Sequence, residues 1–424
     1  MLQLNFIRDN KAVLLAGLEK RNFSNPSDVL EQVLKLDTDR KALQANLEEI
    51  LSKSNRISKE IASLYKDNKI QEASELKNQT LELKKSSKKI NEQLTSLTTA
   101  LEDILYTIPN IPHKDVIKGS TEDENQIIYK SPMPEPLSDA ALPHWELAKK
   151  YDLIDFELGN KLSAAGFPVY KGKGAKLQRA LINFFLDHNI SSGYAEVQVP
   201  LLVNEASATA TGQLPDKENQ MYHDSKDNLY LIPTSEVPTV NMYRDMLIKE
   251  SDLPIKNTAY TPCFRREAGS YGAHVRGLNR LHQFDKVEIV RIEKPEDSYK
   301  ALDSMVKHIE NILKPLGLPY RILRLCSGDL GFTSALTFDF ETFSMAQKKW
   351  LEISSASNLE TYQSNRLKLR FKDKNKKSVL PHTLNASALA LPRVLAALLE
   401  NNQTDKGIKI PEVLVPYTGF DYIN

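Results

Sequence analysis

A chain of 424 residues is too long for one ordinary small domain and implies two or three, and an apolar fraction of 41% suffices for a buried core. Its 56 lysines and arginines against 55 acids leave a net charge of +1, so any nucleic-acid contact must come from local clustering rather than bulk charge. The two cysteines, Cys263 and Cys326, have no CxxC spacing, which excludes a disulfide framework and a cysteine-rich zinc site and leaves reduced structural thiols.

The first ten residues, MLQLNFIRDN, carry Arg8 and Asp9 and form no secretory apolar core. No later run approaches the ~18 apolar residues of a membrane span, so a soluble cytoplasmic protein with no membrane partner is expected. Between Val29 and Ile104 the apolar residues keep a heptad period. One seam runs Val29, Val33, Leu36, Arg40, Leu43, Leu47, Ile50, Ser54, Ile57, Ile61 and Leu64; a second runs Ala73, Leu76, Thr80, Leu83, Ser87, Ile90, Leu94, Leu97, Leu101 and Ile104. The short polar segment Tyr65-Lys66-Asp67-Asn68-Lys69 between them makes the helices antiparallel neighbours. A helix over Val29–Leu64 would be roughly 54 Å long, so the hairpin is expected to project as an arm. Residues 53–89, the half nearest the turn, hold ten basic residues against five acids. Periodicity and charge together fit either a spacer arm with solvated lysines or a nucleic-acid clamp.

Two prolines in Thr107-Ile108-Pro109-Asn110-Ile111-Pro112 forbid continuation of the second helix and place a domain boundary near residue 110. The domains are therefore expected at 1–110 and 111–424, the second a large mixed α and β globule. Within it, Ala175–Asn189 has helical apolar spacing and runs into the strand-like Tyr194–Val199, stopped by Pro200. That pair suits an interface or an internal helix and strand equally. Pro233-Thr234-Ser235-Glu236 closes the apolar run NLYLIP with hydroxyls and an acid. Tyr260–Glu267 and Leu281–Val290 read as the two strands of a long hairpin, with Arg265 at one end and Phe284 and Glu288 on the inward face of the return strand. Arg265 there is either half of a surface salt bridge or, through its planar donors, a grip for phosphate or carboxylate. Glu352-Ile353-Ser354-Ser355 offers an acid and hydroxyls suited to a hard cation such as Mg²⁺. Pro392 can open a helix with Arg393 in its first turn. Neither GxxxxGK[ST] nor a GxGxxG after a strand is present, so nucleotide would have to be handled by arginines and metal.

Taken in order, the hairpin arm, the helix and strand ending at Pro200, TGQLP at Thr211–Pro215, PTSE at Pro233–Glu236, FRREAGS with RGL and HQFDKVE, EISSASN, and the helix bearing Arg393 resemble a bacterial-type seryl-tRNA synthetase over almost the whole chain. The resemblance implies an α+β protein: an N-terminal antiparallel coiled-coil hairpin arm that binds tRNA, and a class II synthetase antiparallel-sheet catalytic domain flanked by helices. It implies a homodimer that uses MgATP to convert L-serine to seryl-adenylate and pyrophosphate, then passes the seryl group to tRNA(Ser), with tRNA(Sec) a second candidate. By the same resemblance Arg265 holds the α-phosphate and the serine carboxylate, and Arg393 the γ-phosphate. Phe284 stacks on adenine, Glu267 meets its edge, and Arg266, Leu281, Ile353 and Ser354 complete the ATP site. Glu352 and Ser355 bind Mg²⁺, while Thr234, Ser235, Glu236, Glu288 and Ser387 surround serine, with Glu288 taking its ammonium. No catalytic histidine is needed, so His282 reads as a packing residue. Ala386, Ala388 and Pro392 stand where the family commonly has the glycines of GSGLAVGR, which narrows backbone freedom beside Ser387 and Arg393. An amino acid:carrier-protein ligase would lack the long arm, and a non-catalytic coiled-coil paralogue would have lost Arg265, Glu352 or Arg393.

Overall fold

The fold was analysed in a computed structural model, which describes residues 1–138, 141–216, 218–267 and 276–424. Chain contacts divide it into two units: Leu2–Glu19 with Phe23–Pro109, and Met1, Lys20–Asn22 with Asn110–Asn424.

The first unit consists of two short helices, α1 (Leu4–Asp9) and α2 (Lys11–Lys20), and two long ones, α3 (Pro26–Lys66) and α4 (Ile70–Thr107). Pro26 occupies the first turn of α3, where its missing N–H costs no hydrogen bond. Asn68, at φ +58°, makes the reversal into α4. Every seam position of both heptad series is buried or half-buried, while the intervening lysines lie in solvent. One polar group interrupts this packing: Asp37, 1% exposed, meets Arg40 at 2.8 Å, Arg8 at 3.2 Å and Lys41 at 3.3 Å. Burial alone would raise its carboxyl, but Arg40 and Lys41 hold it below its ordinary value.

The second unit is organised by an eight-stranded sheet. In chain order its strands are β1 (Gln126–Lys130), β2 (Ala195–Glu196), β3 (Ile255–Phe264), β4 (Gln283–Glu293), β5 (Tyr320–Arg324), β6 (Leu336–Ser344), β7 (Lys349–Asn358) and β8 (His382–Ala390). Their spatial order is β1-β5-β6-β7-β8-β4-β3-β2, antiparallel throughout except for β2 beside β3. The helices α5 (His144–Lys150), α6 (Gly172–Ser191), α7 (Ser298–Leu316) and α8 (Leu391–Asn401) pack around it. Along α7, Leu302, Met305, Ile309, Ile312 and Leu316 recur every three or four residues and are all buried, the stripe of a helix lying on a sheet. They share one core with Leu181 and Phe185 of α6, Val287 and Ile289 of β4, Phe340 of β6 and Leu395 and Leu398 of α8.

The strand expected at Tyr194–Val199 is shorter than its sequence suggests. Only Ala195 and Glu196 form a ladder, exposed and with a neighbour on one side, and Pro200 follows before any longer pairing can build. Both cysteines are buried and free. Among the described residues, no helix is long and apolar enough to cross a membrane.

Candidate active site

The hairpin of β3 and β4 is in register from Phe264 opposite Gln283 to Ile255 opposite Ile292. Pleat alternation then decides which side chains face which way. Val287 and Ile289 enter the core, whereas Phe284, Lys286 and Glu288 stand on the opposite face. On β8 the alternation puts Ala386 and Ala388 fully into the core and Asn385 and Ser387 on the other side. The two alanines at customary glycine positions therefore put their methyls into the core, away from the site. Together these strands, β7, the start of α8 and the segment after β3 enclose a cleft of about 540 Å³.

Of the residues singled out in the sequence, Thr234, Glu236, Arg265, Glu267, Leu281, Phe284, Glu352, Ile353, Ser354, Ser355, Ser387 and Arg393 all line this cleft. Arg265 lies with its guanidinium 5.2 Å from the Phe284 ring centroid, so a base stacking on Phe284 must take the other face or displace the cation. Arg393 donates from Nε to the Asn279 carbonyl at 2.9 Å and from Nη1 to the Glu352 carbonyl at 3.0 Å, with the Glu352 carboxylate at 3.3 Å. Glu267, in the left-handed region at φ +48°, is ion-paired with Arg280.

Three expected members stand apart. Arg266 points outward, exposed and off the cleft wall, because the chain after β3 carries alternate side chains to opposite sides. Ser235 is fully buried behind Thr234 and Glu236. Glu288, 1% exposed, does not reach the wall, since Lys286 two residues earlier on the same face pairs with it at 2.7 Å. The stretch joining the two strands of this hairpin, residues 268–275, which includes the end of FRREAGS, lies outside the described residues. His282 takes a packing role, stacked on Phe167 and hydrogen-bonded to the Tyr222 hydroxyl at 2.8 Å.

Sequence reading missed several members. Lys286 bridges Glu288 and the Thr234 hydroxyl, each at 2.7 Å. Asn385 donates to Glu236 at 3.0 Å and Glu288 at 3.1 Å, and Gln363 to Glu236 at 2.7 Å. Burial pushes the Glu236 carboxyl up to about 7, with the Glu288 charge adding to the effect and Gln363 and Lys286 opposing it. Strand parity was the available signal for Lys286, which shares a face with Phe284 and Glu288, and for Asn385, which shares one with Ser387. Gln363 arrives from a separate short helix, Tyr362–Arg366, and has no such signal.

A hard-cation site is chemically suited to the cleft floor. Glu352 and Ser355 present a carboxylate and a hydroxyl to it, and Asp339 stands opposite Ser355 on β6 with one buried carboxylate oxygen lacking a hydrogen bond. Burial and then the Glu352 charge push the Asp339 carboxyl well above its ordinary value, although the Ser355 hydroxyl bonds to it. Such a set fits a magnesium ion that takes its other ligands from water and phosphates.

This arrangement agrees with comparisons to known proteins. Residues 219–402 match the tRNA synthetase class II core domain (G, H, P, S and T), and residues 1–112 match the seryl-tRNA synthetase N-terminal domain. Fold and site thus define a class II aminoacyl-tRNA synthetase. The serine–tRNA ligase of Salinibacter ruber is 45% identical over 99% of this chain and 98% of its own, and that of Thermotoga neapolitana 44% over 100% of both. A crystal structure of seryl-tRNA synthetase from Pyrococcus horikoshii complexed with ATP aligns with a TM-score of 0.89 at 31% identity, covering 99% of each chain. The chain belongs to the seryl-tRNA synthetase family, the serine–tRNA ligases.

Proposed function

We propose that the chain activates L-serine with ATP and transfers it to tRNA(Ser). The observation that carries this reading is the convergence of Arg265, Arg393 and Glu352 with Thr234, Glu236 and Ser387 on one cleft. A serine carboxylate oxygen attacks the α-phosphorus, the bond to the bridging oxygen breaks, and pyrophosphate leaves. In-line displacement of this kind needs alignment and charge neutralisation rather than a protein base. Arg265 bridges carboxylate and α-phosphate through its two-pronged donors, Arg393 takes the outer phosphates, and Phe284 packs on adenine. Glu352 and Ser355 would hold Mg²⁺, which supplies further neutralisation on the phosphates when bound. In the second step a ribose hydroxyl at the tRNA 3′ end attacks the seryl carbonyl and AMP departs. The basic outer half of the helical hairpin suits a tRNA backbone, read by shape and charge. Helix α6 and the one-sided edge at β2 are the elements through which we place a homodimer, and a cytoplasmic location follows from the same reading. Serine-dependent exchange of pyrophosphate into ATP, with alanine and threonine as controls, tests it.

Glu236 rather than Glu288 is assigned the serine ammonium, because Glu236 lines the cleft and Glu288 is held by Lys286. An ammonium favours the ionised carboxylate, so the serine KM is expected to rise as pH falls through about 7. Glu236→Gln is expected to raise serine KM by roughly 10²-fold and flatten that pH dependence, measured by exchange at pH 6 to 8. Without serine the sign reverses for stability. A carboxyl raised from 4.5 to about 7 on folding favours the fold in acid, and that contribution is lost as pH rises through about 7. A serine KM in Glu236→Gln that stays at the wild-type value would remove Glu236 from the pocket.

A further inference from the structure

Behind the cleft wall lies a buried polar cluster that the reaction itself does not use. His144, at the start of α5, and Glu400, near the end of α8, are both fully buried and meet at 2.7 Å between Nδ1 and Oε1. The backbone N–H of Leu278 donates to the other ring nitrogen of His144, Nε2, at 2.8 Å. That contact assigns the neutral tautomer, with the proton on Nδ1 donated to Glu400. Glu400 also accepts from the His144 backbone N–H at 2.9 Å, from Gln347 at 2.8 Å and from the Ser344 hydroxyl. Burial alone would raise the Glu400 carboxyl, but His144 and Ser344 together hold it below its ordinary value.

Two further contacts tie this cluster to the cleft. Gln347 accepts from the Asn279 side chain at 2.9 Å, and the Asn279 carbonyl accepts from Arg393 Nε at 2.9 Å. The chain just before is fitted to the same helix: Arg276 lies 4.8 Å over the Trp145 ring. Gly277 has φ +67°, and a Cβ there would fall 2.2 Å from His144 Nε2. No residue but glycine lets the backbone come this close to the imidazole.

We propose that His144 and Glu400 form a brace that positions Arg393 for the outer phosphates of ATP, by fixing the backbone of Leu278 and Asn279. The inference rests on the ATP site proposed above. A buried carboxylate hydrogen-bonded to an imidazole is a costly way to fill space, and apolar residues of similar volume would pack at least as well. What this pair adds is direction. Its hydrogen bond from the Leu278 N–H sets the height of the chain there, and the carbonyl of the next residue, Asn279, holds the guanidinium whose other nitrogen rests on Glu352. His144, Glu400 and Gln347 touch no substrate and are positioning residues, so their loss should weaken ATP and leave serine alone.

The test uses the full chain carrying His144→Asn, which keeps a donor toward Glu400 and removes the acceptor for Leu278, and separately Gln347→Ala. ATP and serine KM are measured by pyrophosphate exchange, ATP Kd by calorimetry without serine, and Tm by thermal melting. We expect His144→Asn to raise ATP KM and Kd about tenfold with serine KM within about twofold of wild type, and Gln347→Ala to raise the ATP values about threefold. Unchanged ATP values in folded His144→Asn would overturn the proposal, as would parallel changes in both substrates that follow Tm. If His144→Asn does not fold, Gln347→Ala decides alone by the same criteria. A wild-type chain that binds ATP but shows no exchange with serine would sink the serine reading, while the calorimetric values still judged the brace.

Discussion

Replacing Arg265 by alanine is expected to lower serine-dependent pyrophosphate exchange by roughly 10³-fold while shifting Tm by no more than about 2 °C. Arg265 sits just past the end of β3, half-buried on the cleft wall, with its backbone N–H bonded to the His282 carbonyl at 2.9 Å. Its backbone place is thus secured without its side chain, which is why stability should survive the change. The guanidinium lies over Phe284 and supplies two parallel donors, so it can hold a carboxylate oxygen and a phosphate oxygen at once. Charge develops there only as the displacement proceeds, and a preformed donor contributes most at that point. Arg265→Lys should recover only part of the loss, because an ammonium lacks the planar fork. Exchange within tenfold of wild type in Arg265→Ala would show that another group holds the α-phosphate.

Removing Ser54–Ser87 and closing the hairpin with a short polar turn should leave serine-dependent exchange within about twofold of wild type and lower the rate of tRNA charging by at least about 10²-fold. Every residue of the cleft wall lies between Gln213 and Arg393, so the deletion takes nothing from the adenylate chemistry. What it takes is most of the basic half of the hairpin: seven of the ten lysines and arginines that residues 53–89 hold, with all five acids of that stretch. Losing several phosphate contacts weakens binding steeply, and the loss should be largest at low salt. Single-turnover charging at two salt concentrations checks this; unimpaired charging would leave the hairpin a spacer.

The hairpin was legible residue by residue, because a coiled coil writes its contacts into a seven-residue period and each seam position is buried by its own neighbours. The helix of Arg393 was legible for a similar local reason, with Pro392 marking its first turn. The strand pair β3 and β4 was legible in its course, and parity placed Phe284 correctly. Less visible was anything that depends on which strands lie side by side. β8 lies between β7 and β4, which brings Asn385 beside Glu236 and Glu288, and β6 beside β7 sets Asp339 opposite Ser355. Those adjacencies come from topology, which no spacing within a strand encodes. Glu288 was placed on the face it occupies, but nothing in the sequence showed that Lys286 would be buried beside it as its partner.

Serine-dependent ATP–pyrophosphate exchange by the wild-type chain is the most direct measurement of the central claim. The structure and the family predict robust exchange with L-serine and at least about 10²-fold less, by kcat/KM, with alanine or threonine. Exchange absent with serine, or equal with alanine, would contradict the account.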